Sequence, residues 1–427
     1  MDNTEIISEI RKRPFVRPLI FWIFGILLYV CFPVQALSFV LPLIAASLVL
    51  LSFLFREHYS RKPVYFNRWL WGSAFACMTV FMAVQVTALN ELIFNISSTV
   101  EPFYMRLAKQ IQSFMIEKID TLNLPNGYKS VIASLTINYK TGMPTELKQQ
   151  FSVSGVAHII AVSGFHVGII YGFVRVLLSF LHANDYTIRI SKCLISIVII
   201  WLYACVSGLS ASSVRAALMI TIYITGDLLQ RKGDKYNTLA AACLLQLAYN
   251  PFWLFNIGFQ FSYLAVFFIL YLQPRFSRML TIRNPIIKLP WEVLTVTLAA
   301  QTGVSFLSFY YFGFSSSVFL FTNIFLTVVA NLLIPLTLLW LLFPVWMPYI
   351  SELLKVAVEQ LTRFMMFIIE SFASLRGAKL SIPFDLFTTL AAYLFLLLLM
   401  LYFRRRRYAL LFASLTVLLA ILFLQLK

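Results

Sequence analysis

Apolar runs of about 20 residues recur along the chain, and they restrict its fold more than any other feature. Pro18–Val34, Trp69–Ala88 and Trp291–Tyr311 are examples. As a helix, a run of this length crosses the roughly 30 Å hydrocarbon core of a bilayer. Charged residues make up only 12% of the chain, against about 25% in soluble domains. We therefore predict an all-α polytopic membrane helix bundle, with about 11–13 transmembrane helices and one or two interfacial amphipathic helices.

The net charge of +17 is explained by where the basic residues lie. Clusters of Lys and Arg abut the ends of apolar runs, as expected when short basic loops remain in the cytoplasm. These clusters are Arg11–Arg17, Arg56–Arg68, Arg231–Lys235, Arg275–Lys288 and Arg404–Arg407. This distribution predicts a cytoplasmic N-terminus. An anionic partner such as nucleic acid is the alternative explanation of the charge.

The chain divides into four predicted regions. They are an N-terminal three-span region (1–89), an extracytoplasmic amphipathic helix and loop (90–151), a core (152–350), and an interfacial helix with C-terminal spans (351–427). Met105–Ile119 and Leu353–Ser374 have the spacing of amphipathic helices, which predicts that they lie along the membrane interface. A turn at Pro125 is expected to end the first of them.

Three further predictions concern where the spans turn. Ala36–Phe55 is expected to form a hairpin with the first span, turning at Pro33. Residues 156–181 form one apolar run and predict a single helix that opens the core. Val318–Ile350 carries no charge and is too long for one crossing, which predicts a tight hairpin turning near Asn331 and Pro335.

A glycine strip marks the start of the core. Gly164, Gly168 and Gly172 are spaced four apart, so on a helix they form one smooth face. Small residues at this spacing allow neighbouring membrane helices to approach closely. The strip therefore predicts tight helix packing.

Two histidines, His158 and His166, and one serine, Ser163, occur in the same apolar run. Eight residues on one helix would place the two imidazoles about 80° apart. Ionisable groups at membrane depth usually face a bundle interior or a wet cavity, so a role in lining a polar pathway is one interpretation. Satisfied structural histidines are the second. No metal site is predicted, since the chain lacks HExxH and similar ligand spacings.

Two further motifs carry polar residues into apolar surroundings. In Ser207–Met219, Gly208 and Ser210 precede Arg215, which has no carboxylate within a helical turn. The hydroxyl groups predict either an N-cap, at Ser212 or Ser213, or the lining of a path that tolerates anions. In Asn250–Ala265, Asn256 and Gln260 predict hydrogen bonds between helices.

These motifs, in this order, resemble the competence domain of the ComEC family of DNA-uptake channels. The resemblance rests on SGVAHIIAVSGFHVGII (Ser154–Ile170), GLSASSVRAALM (Gly208–Met219) and NPFWLFNIGFQFSYLA (Asn250–Ala265). SLTINYKTGMPTELKQQF (Ser134–Phe151) and TNIFLTVVANLLIPL (Thr322–Leu336) also resemble family segments. The resemblance implies that 152–350 is a competence-type channel core in the bacterial inner membrane, with His158, Ser163, His166 and Arg215 bordering the path of single-stranded DNA.

The resemblance also implies partners: single-stranded DNA, the lipid bilayer, and a separate DNA receptor, nuclease and cytoplasmic motor. It implies no cofactor. Family members usually carry an OB-like domain after the third span and a metallo-β-lactamase-like nuclease domain. Residues 90–151 do not fit an OB barrel, and the four histidines form no HxHxDH cluster, so no nuclease activity of this chain is expected.

Two alternatives from other classes remain open at this point. In the first, the chain is an integral-membrane enzyme on a phosphorylated or lipid-linked substrate, with Ser163 and His166 as nucleophile and base. No acid lies nearby in sequence to orient that histidine, so the set is incomplete. In the second, the chain is a non-transporting membrane scaffold.

Overall fold

A computed structural model of the chain describes residues 13–32, 42–44, 46–47, 65–96, 103–160, 162–181, 185–229, 234–343 and 347–425. The predicted turn at Pro33 lies outside the described residues, as does most of the predicted span Ala36–Phe55. The helices that precede the second motif are α1 (Val16–Cys31), α2 (Tyr65–Ile96), α3 (Phe103–Asp120), α4 (Asn126–Ile137), α5 (Thr145–Val153), α6 (Ala157–Ile160), α7 (Gly164–Leu177) and α8 (Tyr186–Val206).

The helices that follow are α9 (Ala211–Leu228), α10 (Lys235–Tyr249), α11 (Ile257–Ser277), α12 (Pro285–Phe312), α13 (Phe319–Leu342), α14 (Pro348–Ala373), α15 (Leu386–Arg405) and α16 (Tyr408–Gln425). Short 3₁₀ turns occupy Leu178–Phe180 and Pro251–Phe255. Two three-residue strands, β1 (Phe314–Ser316) and β2 (Lys379–Ser381), pair antiparallel with Ser315 opposite Leu380.

Six of the described helices are long and apolar enough to cross a membrane: α8, α11, α12, α13, α15 and the Gly72–Ile93 part of α2. Three shorter apolar segments, Val16–Cys31, Gly164–Phe180 and Tyr408–Phe423, add to them. The chain is therefore a multi-pass helical membrane protein, and the predicted all-α fold class is confirmed. The amphipathic helix predicted at Met105–Ile119 is α3, and the chain leaves it before Pro125 as expected.

The hairpin predicted near Asn331 and Pro335 is wrong. Both residues lie inside α13, which runs without a break for 24 residues. A proline in a soluble helix usually breaks it, because it lacks an N–H and clashes with the preceding turn. Within apolar membrane helices proline is tolerated more readily, and the segment from Phe319 to Leu342 is then simply one long span.

The single helix predicted for 156–181 is also wrong. The run is interrupted after Ile160: Val162 and Ser163 are non-helical, and α7 begins at Gly164. His158 and His166 therefore lie on separate helices, and the angle of about 80° predicted for one helix does not describe them. Non-helical backbone in an apolar run needs hydrogen-bond partners from elsewhere in the protein.

The chain forms two compact units. The first comprises Met1–Ile111 and Gly164–Tyr263, and the second comprises Gln112–Ser163 and Leu264–Lys427. In the first unit, Trp22, Ile26, Ala83, Cys243, Leu247 and Phe259 form a buried core. Helices α1 and α2 pack closely, because a Cβ at Gly25 would lie 2.7 Å from the Cβ of Ala83. A glycine therefore does allow close helix packing here, but at a position that the sequence analysis did not single out.

In the second unit, the turn between α3 and α4 is attached to α14 by polar contacts. The backbone N–H of Asn123 donates to Oε1 of Glu359 at 2.7 Å, and Nη2 of Arg363 donates to the Asn123 carbonyl at 2.8 Å. The Tyr128 hydroxyl donates to Oε1 of Glu370 at 3.0 Å. Burial, and then the Glu370 carboxylate, raises the pKa of this tyrosine. The amphipathic α14 thus holds the polar segment that precedes the core motifs.

Candidate functional site

The second motif forms the start of α9. Its N-cap is Ser210, whose hydroxyl accepts a hydrogen bond from the backbone N–H of Ser213 at 3.3 Å. An N-cap was predicted at Ser212 or Ser213, so the helix begins earlier than expected. Gly208 and Leu209 precede the cap with positive φ angles of 75° and 49°. Glycine adopts this left-handed conformation readily, which explains Gly208 at the entrance to the helix.

Arg215 is the central residue of this motif. Its side chain is almost fully buried, with 2% of the residue exposed. Nη2 donates to the backbone carbonyl of Gly258 at 3.0 Å, and the guanidinium lies 5.6 Å from the ring centre of Phe259 and 5.8 Å from that of Tyr263. Gly258 and Phe259 belong to the third motif. The structure therefore joins the second and third motifs through one buried arginine.

The polar residues of the third motif make local contacts. Oδ1 of Asn256 accepts from the backbone N–H of Phe259 at 3.2 Å, which satisfies a donor in the first turn of α11. Nε2 of Gln260 donates to the carbonyl of Leu254 at 3.0 Å. These two hydrogen bonds fix the start of α11, and the predicted hydrogen bonds between helices stay a prediction. Their effect is to present the Gly258 carbonyl to Arg215.

The glycine strip does not form the tight contact that was predicted. A Cβ at Gly164 would lie 3.6 Å from the Cβ of Ala216, which is ordinary van der Waals distance. A Cβ at Gly168 or Gly172 would meet no atom within 4 Å in the described structure. Spacing alone identified a smooth helix face but not what that face contacts. Even so, Gly164 brings the start of α7 next to the residue that follows Arg215.

His166 lies in the first turn of α7 and is fully buried, with its ring 6.0 Å from that of Phe165 in a T-shaped arrangement. His166 and Arg215 both belong to the first unit, whereas His158 and Ser163 belong to the second. His158, on the short α6, is exposed. The prediction that all four residues share one corridor therefore remains a prediction.

The break between α6 and α7 has its own supports in the second unit, which the sequence analysis missed. The Ser134 hydroxyl donates to the carbonyl of Ile160, and Oδ1 of Asn138 accepts from the backbone N–H of Val162 at 3.3 Å. Asn138 itself ends α4 in the left-handed conformation, with φ 59°. Both residues occur in the SLTIN segment that was quoted for its resemblance, but nothing in their spacing indicated the role of partners for the break.

Gly155 is a further residue that the sequence analysis passed over. Its φ of +81° is left-handed, and a Cβ there would lie 2.5 Å from the Cβ of Phe319 and 2.9 Å from that of Ser316. Glycine is therefore required both by backbone conformation and by close approach. It seats the start of the first motif against the first turn of α13.

In the described part of the chain, no three His, Cys, Asp or Glu residues lie close enough together to hold a metal ion. What the arrangement offers is a buried guanidinium at the start of two helices, and an interrupted apolar helix with an exposed imidazole beside it. Both are features of membrane proteins that pass or bind polar molecules, in which broken helices and intramembrane charges mark the polar site.

The fold and this site define a multi-pass helical membrane protein, with its polar motifs placed at helix starts and at a helix break. The chain belongs to the competence protein family, whose model matches residues 135–407. That range contains the last three residues of α4, all of α5 to α15, and all three motifs. The ComEC resemblance noted in the sequence is thereby confirmed.

ComE operon protein 3 of Bacillus subtilis (strain 168) is similar to this chain, with 25% identity over 189 residues. The match covers 44% of this chain and 23% of that protein. The chain therefore matches only about a quarter of the length of this relative. No solved structure matches the chain.

Proposed function

We propose that this protein transports single-stranded DNA across the bacterial inner membrane during natural transformation. The observation that carries the proposal is that the competence family match includes every motif of the candidate site. The multi-pass helical fold supports it, because a strand can cross the bilayer only through protein. In this proposal the N-terminus is cytoplasmic, as the basic clusters favour.

Passage of DNA imposes a physical requirement on the lining. Each phosphodiester carries a charge that is costly to remove from water unless polar or cationic groups replace the water. His158, Ser163, His166 and Arg215 are the groups that we assign to this role. His158 is exposed, whereas His166 and Arg215 are buried, so a strand reaches the latter two only when the first unit opens.

The other steps of uptake are assigned to other components. In this proposal, degradation of one strand is carried out by a separate domain or protein. A DNA receptor and a cytoplasmic motor complete the proposed pathway. No catalytic step is assigned to Ser163 or His166.

A non-transporting membrane scaffold is the second candidate. The burial of His166 and Arg215 favours it, because side chains sealed inside a unit contribute to packing without any opening. The two candidates differ in what happens to DNA when the protein is removed.

The test is uptake of labelled DNA by competent cells with and without the gene. Transport predicts that deletion leaves labelled DNA bound outside and abolishes its nuclease-resistant entry, and that expression of the chain restores entry. If the deletion strain internalises labelled DNA as well as the parent, the transport function is wrong. Membrane levels of the expressed chain provide the control.

A further inference from the structure

The buried guanidinium of Arg215 has more hydrogen-bond donors than the described residues supply acceptors. Nη2 donates to Gly258, but Nε and Nη1 have no hydrogen-bond partner among the described residues. No described carboxylate lies within ion-pair distance of it, since the three ion pairs found join Arg13, Lys288 and Lys355 to other groups. A buried charge without a counter-charge is strongly unfavourable.

The contacts that Arg215 does make offset only part of this cost. The rings of Phe259 and Tyr263 lie 5.6 and 5.8 Å from the guanidinium carbon, at the outer limit of cation–π distances. Tyr263 is committed elsewhere, because its hydroxyl donates to Oε1 of Gln246 at 3.0 Å. Nε2 of Gln246, 1% exposed, is likewise without an acceptor in the described structure. The surroundings of Arg215 are therefore rich in donors.

The positions of the helices add to this positive character. Arg215 lies in the second turn of α9, and its partner Gly258 is the second residue of α11. The N-terminus of a helix carries a partial positive charge, so two such ends meet at the guanidinium. Two helix starts and a buried cation, which finds neither an acceptor for Nε and Nη1 nor a carboxylate among the residues that the structure describes, together form the pattern of an anion site.

We propose that Arg215, at the starts of α9 and α11, binds one phosphate group. A tetrahedral oxyanion suits guanidinium donors, and its charge supplies the missing counter-charge. Inorganic phosphate and a phosphodiester of a nucleic-acid strand share this chemistry. Binding of a phosphodiester rests on the proposed transport function, whereas binding of inorganic phosphate does not.

The experiment is equilibrium dialysis of radiolabelled inorganic phosphate against the purified full chain in detergent, at constant ionic strength. We expect saturable binding of one phosphate per chain. A short thymidine oligonucleotide should compete if the site accepts phosphodiesters, and chloride should not compete at equal concentration. Competition by the oligonucleotide assigns the site to nucleic acid, and failure to compete restricts it to small oxyanions.

Variants locate the binding. Arg215→Gln should abolish saturable binding, and Arg215→Lys, which keeps the charge but loses the planar donors, should weaken it about tenfold. Arg175→Gln removes an exposed arginine of the same unit and should change nothing. Should Arg215→Gln not yield a folded chain, the lysine variant provides the comparison.

Absence of saturable phosphate binding by the wild-type chain, or equal binding by the wild-type and Arg215→Lys chains, overturns the inference. Normal DNA uptake by cells whose protein binds no phosphate would overturn the inference and leave the proposed transport intact. Loss of uptake on gene deletion together with normal phosphate binding supports both proposals.

Discussion

The ammonium group of Lys118 donates a hydrogen bond to the carbonyl oxygen of Trp340 at 2.7 Å. It also donates to the carbonyls of Leu341 and Phe343, at 3.2 and 3.0 Å, and lies 5.4 Å from the Trp340 ring centre. Trp340 and Leu341 lie in the last turn of α13 and Phe343 is its C-cap, so all three carbonyls lie where a helix lacks the N–H groups of a following turn. The Trp340 carbonyl also accepts from the backbone N–H of Phe343 at 3.2 Å. A cation at this end also interacts favourably with the helix dipole. One lysine of the amphipathic α3 thus caps the long apolar α13.

Replacing Lys118 with Met should therefore destabilise the protein. Three carbonyls lose a charged donor, and we expect a loss of about 1–3 kcal/mol in the free energy of unfolding. Thermal unfolding of the purified chain in detergent, followed by tryptophan fluorescence, measures it. Lys148→Met, at an exposed lysine of α5, serves as the matched control. Equal melting temperatures for the two variants would contradict the capping role.

Gly155→Ala tests the seating of the first motif against α13. The substitution combines left-handed strain with the contact to Phe319, and together they should cost about 2–5 kcal/mol. Gly142 also has a positive φ, +82°, but a Cβ there would meet nothing within 4 Å. Gly142→Ala should therefore lose only the strain, about 1 kcal/mol. Similar losses for both variants, in the same unfolding assay, would show that the close approach to Phe319 is unimportant.

Substitutions of Asn138 should lower the stability of the protein in two steps, because Asn138 has two roles. It ends α4 in the left-handed conformation, and its side chain accepts from the Val162 N–H. Asn138→Gly keeps the left-handed conformation but removes the acceptor for the Val162 N–H, which should cost about 1–3 kcal/mol. Asn138→Ala removes the acceptor and adds about 1 kcal/mol of backbone strain. The expected order of stability is wild type, then glycine, then alanine. An alanine variant at least as stable as the glycine variant would disprove this account of the helix break.

The buried Glu359 provides a fourth prediction. Its carboxylate accepts the backbone N–H of Asn123, and the residue is 8% exposed. Glu359→Leu leaves that N–H without its acceptor and should loosen the α3–α4 turn. Glu359→Gln retains an oxygen acceptor and should behave nearly as wild type. Hydrogen exchange of the Asn123 amide measures this loosening directly. Faster exchange is expected in the leucine variant alone. Unchanged exchange in that variant would show that Glu359 does not hold the α3–α4 turn.

The sequence predicted the parts of the fold that depend on local composition. Apolar length predicted spans such as Trp69–Ala88 and Trp291–Tyr311, which lie within α2 and α12, and helical spacing predicted α3, because each signal lies within one segment. Asn331 and Pro335 misled the prediction, since a proline that marks a turn in soluble proteins lies within a continuous membrane helix here.

The sequence predicted the motifs of the candidate site but not the contacts between their residues. Arg215 was identified as a cation in apolar surroundings with no carboxylate within a helical turn. Its hydrogen-bond acceptor is the carbonyl of Gly258, 43 positions away in the chain. A backbone carbonyl leaves no signature in residue types. Gly168 shows the opposite error, because its spacing predicted a close contact that is not found among the described residues. In both cases the contact depends on which segments, far apart in the chain, come close together in the fold. The residue types of a single sequence do not show this.

The most direct test of transport is whether DNA passes His158 while it enters the cell. The photo-reactive residue p-benzoylphenylalanine is placed at His158, which is exposed, and separately at Phe387, which is 76% exposed at the start of α15. Competent cells are then illuminated during uptake of labelled DNA. Transport along the first motif predicts light-dependent attachment of labelled single strand at position 158 and none at position 387. Normal uptake with no DNA attached at position 158, or equal attachment at both positions, would contradict it.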